Sequence, residues 1–129
     1  MSVSPKTVVL GAGAWGTALA LAQARAGRDV TLWSRSADAA SQINYQQGNE
    51  AYLPGIRFDA PLRVTANAAE ALGDASLVIA VIPAQSLREA LVTLAPHVPA
   101  KIPVILCAKG IEKNTGLLMS AVLRQCLPD

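Results

Sequence analysis

Short blocks of β-branched and aliphatic residues alternate along the chain with longer alanine- and leucine-rich stretches. KTVVL at residues 6–10 predicts a buried strand, since branched side chains suit a covered pleated surface. A glycine-rich turn follows at residues 11–16. TALALAQARA at residues 17–26 predicts a helix from its strong helix formers, closed by Gly27. DVTLW at residues 29–33 predicts a second strand, with Val30 and Leu32 on one face. Residues 36–47 predict a weaker helix with Ser36 or Asp38 as its cap, ended by Gly48 and Asn49. Tyr52-Leu53-Pro54-Gly55 predicts a turn, and residues 56–61 have no period and predict a loop.

The second half repeats the alternation. Residues 62–65 predict a short strand, and Asn67 is placed to cap a small helix at 68–72. The continuous apolar run LVIAVI at residues 77–82 suits a central parallel strand, stopped by Pro83. A helix is predicted over 86–94, with Leu87, Leu91 and Leu94 along one side. IPVILC at residues 102–107 predicts another strand, whose Pro103 is tolerable near the start. Gly110 and Gly116 bracket a polar turn in which Glu112 reads as a local structural partner. Asn114 and Thr115 are expected to open a final amphipathic helix at 117–127. Strand and helix in strict alternation predict an α/β fold, a parallel sheet with helices on both faces.

Composition narrows the class. With 52% hydrophobic and 16% charged residues among 129, the chain can bury a core and is not a disordered segment. A net charge of +2, spread without a basic arm or interleaved aromatics, argues against a nucleic-acid surface. No uninterrupted apolar stretch is long enough to span a membrane. Lys6 and the apolar residues after it have the outline of a signal peptide, but Gly11, Gly13 and Gly16 interrupt that stretch. Cys107 and Cys126 read as buried free thiols of a reducing, cytoplasmic setting. No Cys/His grouping suggests a metal, and His97, in PHVP, reads as a loop residue.

The chemistry concentrates in Gly11-Ala12-Gly13-Ala14-Trp15-Gly16, which fits G-x-G-x-x-G between a strand and a helix. Gly11 permits the tight turn, Gly13 leaves room for a pyrophosphate at the backbone, and Gly16 lets helix and strand pack closely. Phosphates would meet free N–H groups at the positive end of the helix. A Walker-type ATP site fails, because no lysine precedes Thr17. Trp15 can cover the mouth of the site or be buried against the sheet. The second strand ends Trp33-Ser34-Arg35, without the acid that takes the ribose hydroxyls of NAD. A guanidinium with Ser34 beside it suits a 2′-phosphate, so NADP(H) is favoured and NAD(H) remains open. Asp38 can reach the ribose or cap a helix; Arg35 can also stack on the adenine or face solvent. The whole predicts a Rossmann-type domain.

The sequence resembles the N-terminal domain of the bacterial NAD(P)-dependent glycerol-3-phosphate dehydrogenases. The likeness is carried by GAGAWGTALA at 11–20, Trp33-Ser34-Arg35, Ile43-Asn44 with Asn49, YLPG at 52–55 and Thr65. It continues through AVIPAQ at 80–85, KGIE at 109–112 and Thr115. One departure is Ala84, where the family usually has serine between Pro83 and Gln85. The resemblance implies reversible hydride transfer between NAD(P)H and dihydroxyacetone phosphate, giving sn-glycerol 3-phosphate for phospholipid synthesis. It implies that Gly11, Gly13, Ala14, Trp15, Gly16, Ser34, Arg35, Tyr52, Pro83, Gln85 and Lys109 hold the cofactor. It further implies that Lys109 also meets the substrate, as the catalytic residue borne by this chain. Tyr52 can instead close the core, and Lys109 can be a solvent-facing loop residue.

In the family the principal acid/base lysine and most substrate-phosphate ligands belong to a helical C-terminal domain, which also supplies much of the dimer contact. Residues 1–129 are therefore expected to be an incomplete nucleotide-binding domain, truncated before its end, with the second domain absent. A homodimer is implied for the full-length protein. The chain alone is expected to bind NADP(H) weakly, to catalyse no turnover, and to self-associate through a non-native apolar face. Two rivals stand beside this reading. One is another reductase of hydroxy or keto acids, against which YLPG and KGIE argue. The other is a non-catalytic dinucleotide-binding or sensing module.

Overall fold

The computed structural model describes residues 5–107 and 110–127. Five parallel strands form one sheet: β1 (Lys6–Leu10), β2 (Asp29–Trp33), β3 (Arg63–Thr65), β4 (Ala75–Ala80) and β5 (Val104–Leu106), in the order β3-β2-β1-β4-β5. The helices are α1 (Ala14–Arg25), α2 (Ala37–Gln46), α3 (Ala68–Leu72), α4 (Leu87–Leu94) and α5 (Met119–Cys126). This is the Rossmann-type arrangement expected of the alternating pattern, and chain order reverses direction across the sheet between β1 and β4.

Side-chain alternation along the strands divides the core in two. Val9, Val30, Leu32 and Ile79 face α1 and α2, meeting Ala20, Leu21, Ala24 and Ile43. Val8, Leu10, Trp33, Val78 and Ala80 face the other way, onto α3, α4 and α5. Leu87, Ala90, Leu91 and Leu94 recur at helical spacing and are all buried, as are Met119 and Val122 on α5. Val30 and Leu32 share a face as expected.

Boundaries differ where tertiary contacts overrule local signals. α1 begins at Ala14, three residues earlier than expected, because the last part of the glycine motif is itself the first helical turn. β4 begins at Ala75 and ends at Ala80, its start set by pairing with β1 across an irregularity at Lys6 and Thr7. Ser36, rather than Asp38, caps α2 by accepting from the Ala39 N–H at 3.1 Å. Asn67 caps α3 in the same way, from the Glu70 N–H at 2.9 Å. Asn114 and Thr115 do not open α5. Its cap position is Leu118, and the Thr115 hydroxyl is taken by Glu112 and by the Leu117 N–H. The cysteines also depart from expectation: Cys107 is exposed and Cys126 half-buried, though both are free thiols.

At the β3 edge, Asn44 from α2 does the work of a further strand. Its Nδ2 donates to the Val64 carbonyl at 2.6 Å and its Oδ1 accepts the Val64 N–H at 3.0 Å, which closes backbone groups that an edge leaves open. No helix among the described residues is long and apolar enough to cross a membrane.

Candidate dinucleotide cleft

A cleft of ≈ 690 Å³ opens at the carboxyl ends of the strands, lined by the segments that follow β1, β2, β4 and β5. This is where the sheet order reverses, the position at which open α/β sheets take ligands.

The turn after β1 forms its floor. Gly11 has φ +113°, and a side chain there would press to 3.0 Å on the Val81 carbonyl oxygen. At Gly16 a Cβ would lie 1.7 Å from the Gly11 carbonyl oxygen, so α1 can start against β1 only without one. Gly13 differs: a Cβ added there meets nothing within 4 Å. The space it leaves lies at the start of α1, where Gly13 is the cap residue and no side chain caps the helix. The N–H groups of Ala14, Trp15 and Gly16 have no acceptor among the described residues, and no acidic residue stands in that first turn. Unpaired donors, the positive end of a helix and an unfilled position together fit a pyrophosphate.

The wall after β2 carries Ser34, Arg35 and Ser36. Ser34 is buried; its hydroxyl accepts the Ser36 N–H at 3.2 Å and donates to the Ser36 carbonyl at 3.3 Å, fixing the turn. Arg35 is exposed on the cleft and makes no ion pair among the described residues. Asp38 is exposed in the first turn of α2 and does not line the cleft. Trp15 and Tyr52 both stand on the cleft, 73% and 61% exposed, which removes the core-filling alternative for each.

Beyond β4, Pro83 and Ala84 line the cleft and Gln85 does not. The Gln85 carboxamide is engaged behind the wall, donating to the Ile111 carbonyl at 2.9 Å and accepting the Lys113 N–H at 3.1 Å. The same loop is held by Arg88 of α4. Its Nε donates to both Glu112 carboxylate oxygens, at 2.9 and 3.1 Å, and its Nη2 donates to Gln125 of α5. The Arg88 guanidinium, helped by the Thr115 hydroxyl, holds the Glu112 carboxyl below the usual range. Glu112 is thus the local partner the sequence suggests. Lys109 lies outside the described residues; the neighbouring Cys107 lines the cleft.

One residue at the site escaped the reading of its chemistry. Asn49, 3% exposed, lies on the cleft, and its Nδ2 donates to the Ala12 carbonyl at 2.9 Å and to Thr17 Oγ1 at 2.8 Å. The sequence marked it as a helix-ending residue and as part of a resemblance. An asparagine after a helix-ending glycine ordinarily reads as a turn residue.

Residues 6–129 match the family model described as NAD-dependent glycerol-3-phosphate dehydrogenase N-terminus. A glycerol-3-phosphate dehydrogenase, NAD(P)+, of Chelativorans sp. (strain BNC1) is 51% identical over 121 residues, covering 94% of this chain and 37% of that protein. Among solved structures, glycerol-3-phosphate dehydrogenase from Coxiella burnetii superposes with a TM-score of 0.89 at 30% identity, covering 98% of this chain and 38% of that one. The Saccharomyces cerevisiae enzyme superposes with a TM-score of 0.80 at 27% identity, covering 97% and 40%. The chain therefore spans well under half the length of the relatives it matches.

Proposed function

The chain belongs to the NAD-dependent glycerol-3-phosphate dehydrogenase family, and from that premise we propose that it is the cofactor-binding part of an enzyme interconverting dihydroxyacetone phosphate and sn-glycerol 3-phosphate. One observation carries the reading: three N–H groups with no acceptor among the described residues open α1 beside a glycine whose missing side chain leaves open space. The bound nicotinamide supplies or accepts the hydride. This chain's residues bind and orient it. Gly11, Gly13, Ala14 and Gly16 shape the pyrophosphate turn, while Trp15, Tyr52 and Pro83 line the cleft around the rest. Ser34 sets the turn that presents Arg35, and Arg35 takes a 2′-phosphate, which favours NADP(H) over NAD(H). Gln85 acts through the loop it braces. Lys109, two positions after the cleft-lining Cys107, meets the ketone oxygen and stabilises charge developing on it.

The principal acid/base lysine, the substrate-phosphate ligands and the dimer contact belong to a second, helical domain of a longer cytoplasmic protein. In support, the chain covers only 37% of the Chelativorans relative and 38% of the Coxiella burnetii structure. The 129-residue chain alone therefore binds the dinucleotide without turnover. The test is to assay the full-length reading frame for dihydroxyacetone phosphate-dependent oxidation of NADPH and NADH. Substrate-dependent oxidation lost in Lys109→Ala is the expected result. Turnover by the 129-residue chain at a rate near that of the full-length protein would overturn the division of labour.

A further inference from the structure

We infer that Asn49 is a positioning residue of the dinucleotide site, tying the phosphate turn to the loop that carries Tyr52 so that one wall of the cleft organises the other. The inference rests on the dinucleotide reading above. It starts from how residues 48–57 are closed. Gln47, in the left-handed conformation at φ 53°, turns the chain out of α2, and Gly48 pairs antiparallel with Arg57. A Cβ on Gly48 would lie 2.8 Å from the Ile56 carbonyl oxygen, so the arms of the loop approach as they do because that side chain is missing. The Phe58 N–H, donating to the Gln47 carbonyl at 2.7 Å, closes the base.

Asn49 works in both directions from that base. Its carbonyl accepts the Leu53 N–H at 2.6 Å and the Tyr52 N–H at 3.3 Å, which shapes the turn presenting Tyr52. Its side chain reaches back across more than thirty residues of sequence to Ala12 and Thr17, on either side of Gly13 to Gly16. The carboxamide can have only one orientation there, since the Ala12 carbonyl can only accept. A buried amide is costly unless bonded, and here Nδ2 donates to both the Ala12 carbonyl and Thr17 Oγ1. The electrostatic consequence is specific. An unpaired Ala12 carbonyl would present its negative end near an incoming phosphate. Bonded to Asn49, it is satisfied, and the groups at the head of α1 without a partner among the described residues are N–H donors.

Asn49→Asp keeps the shape and removes the donor, setting a carboxylate against the Ala12 carbonyl and close to the phosphates. Affinity for NADPH, NADH and ADP-ribose should fall in equal measure, by about tenfold or more, as expected for losing hydrogen bonds beside a charged ligand. Binding of 2′-AMP, which lacks the pyrophosphate, should not change. A residue that merely stabilised the fold would weaken all four ligands alike or none. In the wild-type chain, NADPH should slow tryptic cleavage after the exposed Arg57, and 2′-AMP should not. That protease comparison decides the matter if Asn49→Asp fails to fold. Wild-type chain that binds no dinucleotide overturns the site reading and this inference with it. Dinucleotide binding unaffected by Asn49→Asp, or cleavage after Arg57 unaffected by NADPH, overturns this inference alone.

Discussion

The turn at residues 11–16 floors the cleft and the loop at residues 110–118 packs behind its far wall, and the two are held by different forces. The turn is a matter of backbone. Gly11 occupies a conformation that side chains disfavour, Gly16 brings α1 against β1, and the donors it offers are main-chain N–H groups. The loop is a matter of side chains. Arg88, Glu112, Thr115, Gln125 and Gln85 cross-link α4, α5 and the loop through hydrogen bonds. A site made of backbone fails outright where a packed glycine is replaced. A site made of side chains should loosen by degrees.

The largest effect should come from Gly16→Ala. A methyl group 1.7 Å from a backbone oxygen forces α1 off β1, so the loss should reach or exceed the about 1–3 kcal/mol usual for overpacking. Thermal melting checks this, and an unchanged melting temperature would mean that the turn is not held as described. Gly13→Val separates binding from folding in the same turn. Nothing in the protein crowds that position, so the variant should fold while binding of both NADPH and NADH disappears. Normal binding of either by the folded variant would sink the pyrophosphate assignment.

Arg35→Ala should be more selective. It should weaken NADPH by about 1.5–3 kcal/mol, the worth of hydrogen bonds to a charged group, and leave NADH nearly untouched. Equal losses for both in titration calorimetry would remove the 2′-phosphate role.

Smaller still is the effect expected at the loop. Glu112 has its carboxyl held below the usual range, chiefly by the hydrogen bond from Arg88. A group depressed on folding adds stability above its unfolded value, and that stability is lost as pH falls through the folded one. Glu112→Gln should therefore melt below wild type at neutral pH, with the gap closing on acidification through the carboxylate range. A gap that stays constant across that range would show that the ion pair is not its source. Asp59, similarly lowered by Arg25, lies with its partner on open surface, where screening should leave even this signature too small to see.

Local patterns determined the alternation of strands and helices, the class of sheet, the cap at Asn67 and the glycine motif; for α2 they offered Ser36 or Asp38, and the structure uses Ser36. Each depends on residues adjacent in sequence, through propensity, periodicity or a turn conformation that glycine permits. Tertiary structure alone decided three other things. α1 starts inside the glycine motif, because Gly16 is a packing contact with Gly11. Gln85 braces the loop at residues 111–113 instead of lining the cleft, because hydrogen-bond partners 26 and 28 residues away claim both ends of its amide. Asn49 joins Ala12 and Thr17, and Asn44 closes the β3 edge, through bonds spanning 20 to 37 residues. A carboxamide carries a donor and an acceptor wherever it stands. Which backbone groups it meets depends on where the fold brings distant segments, and no local periodicity records that.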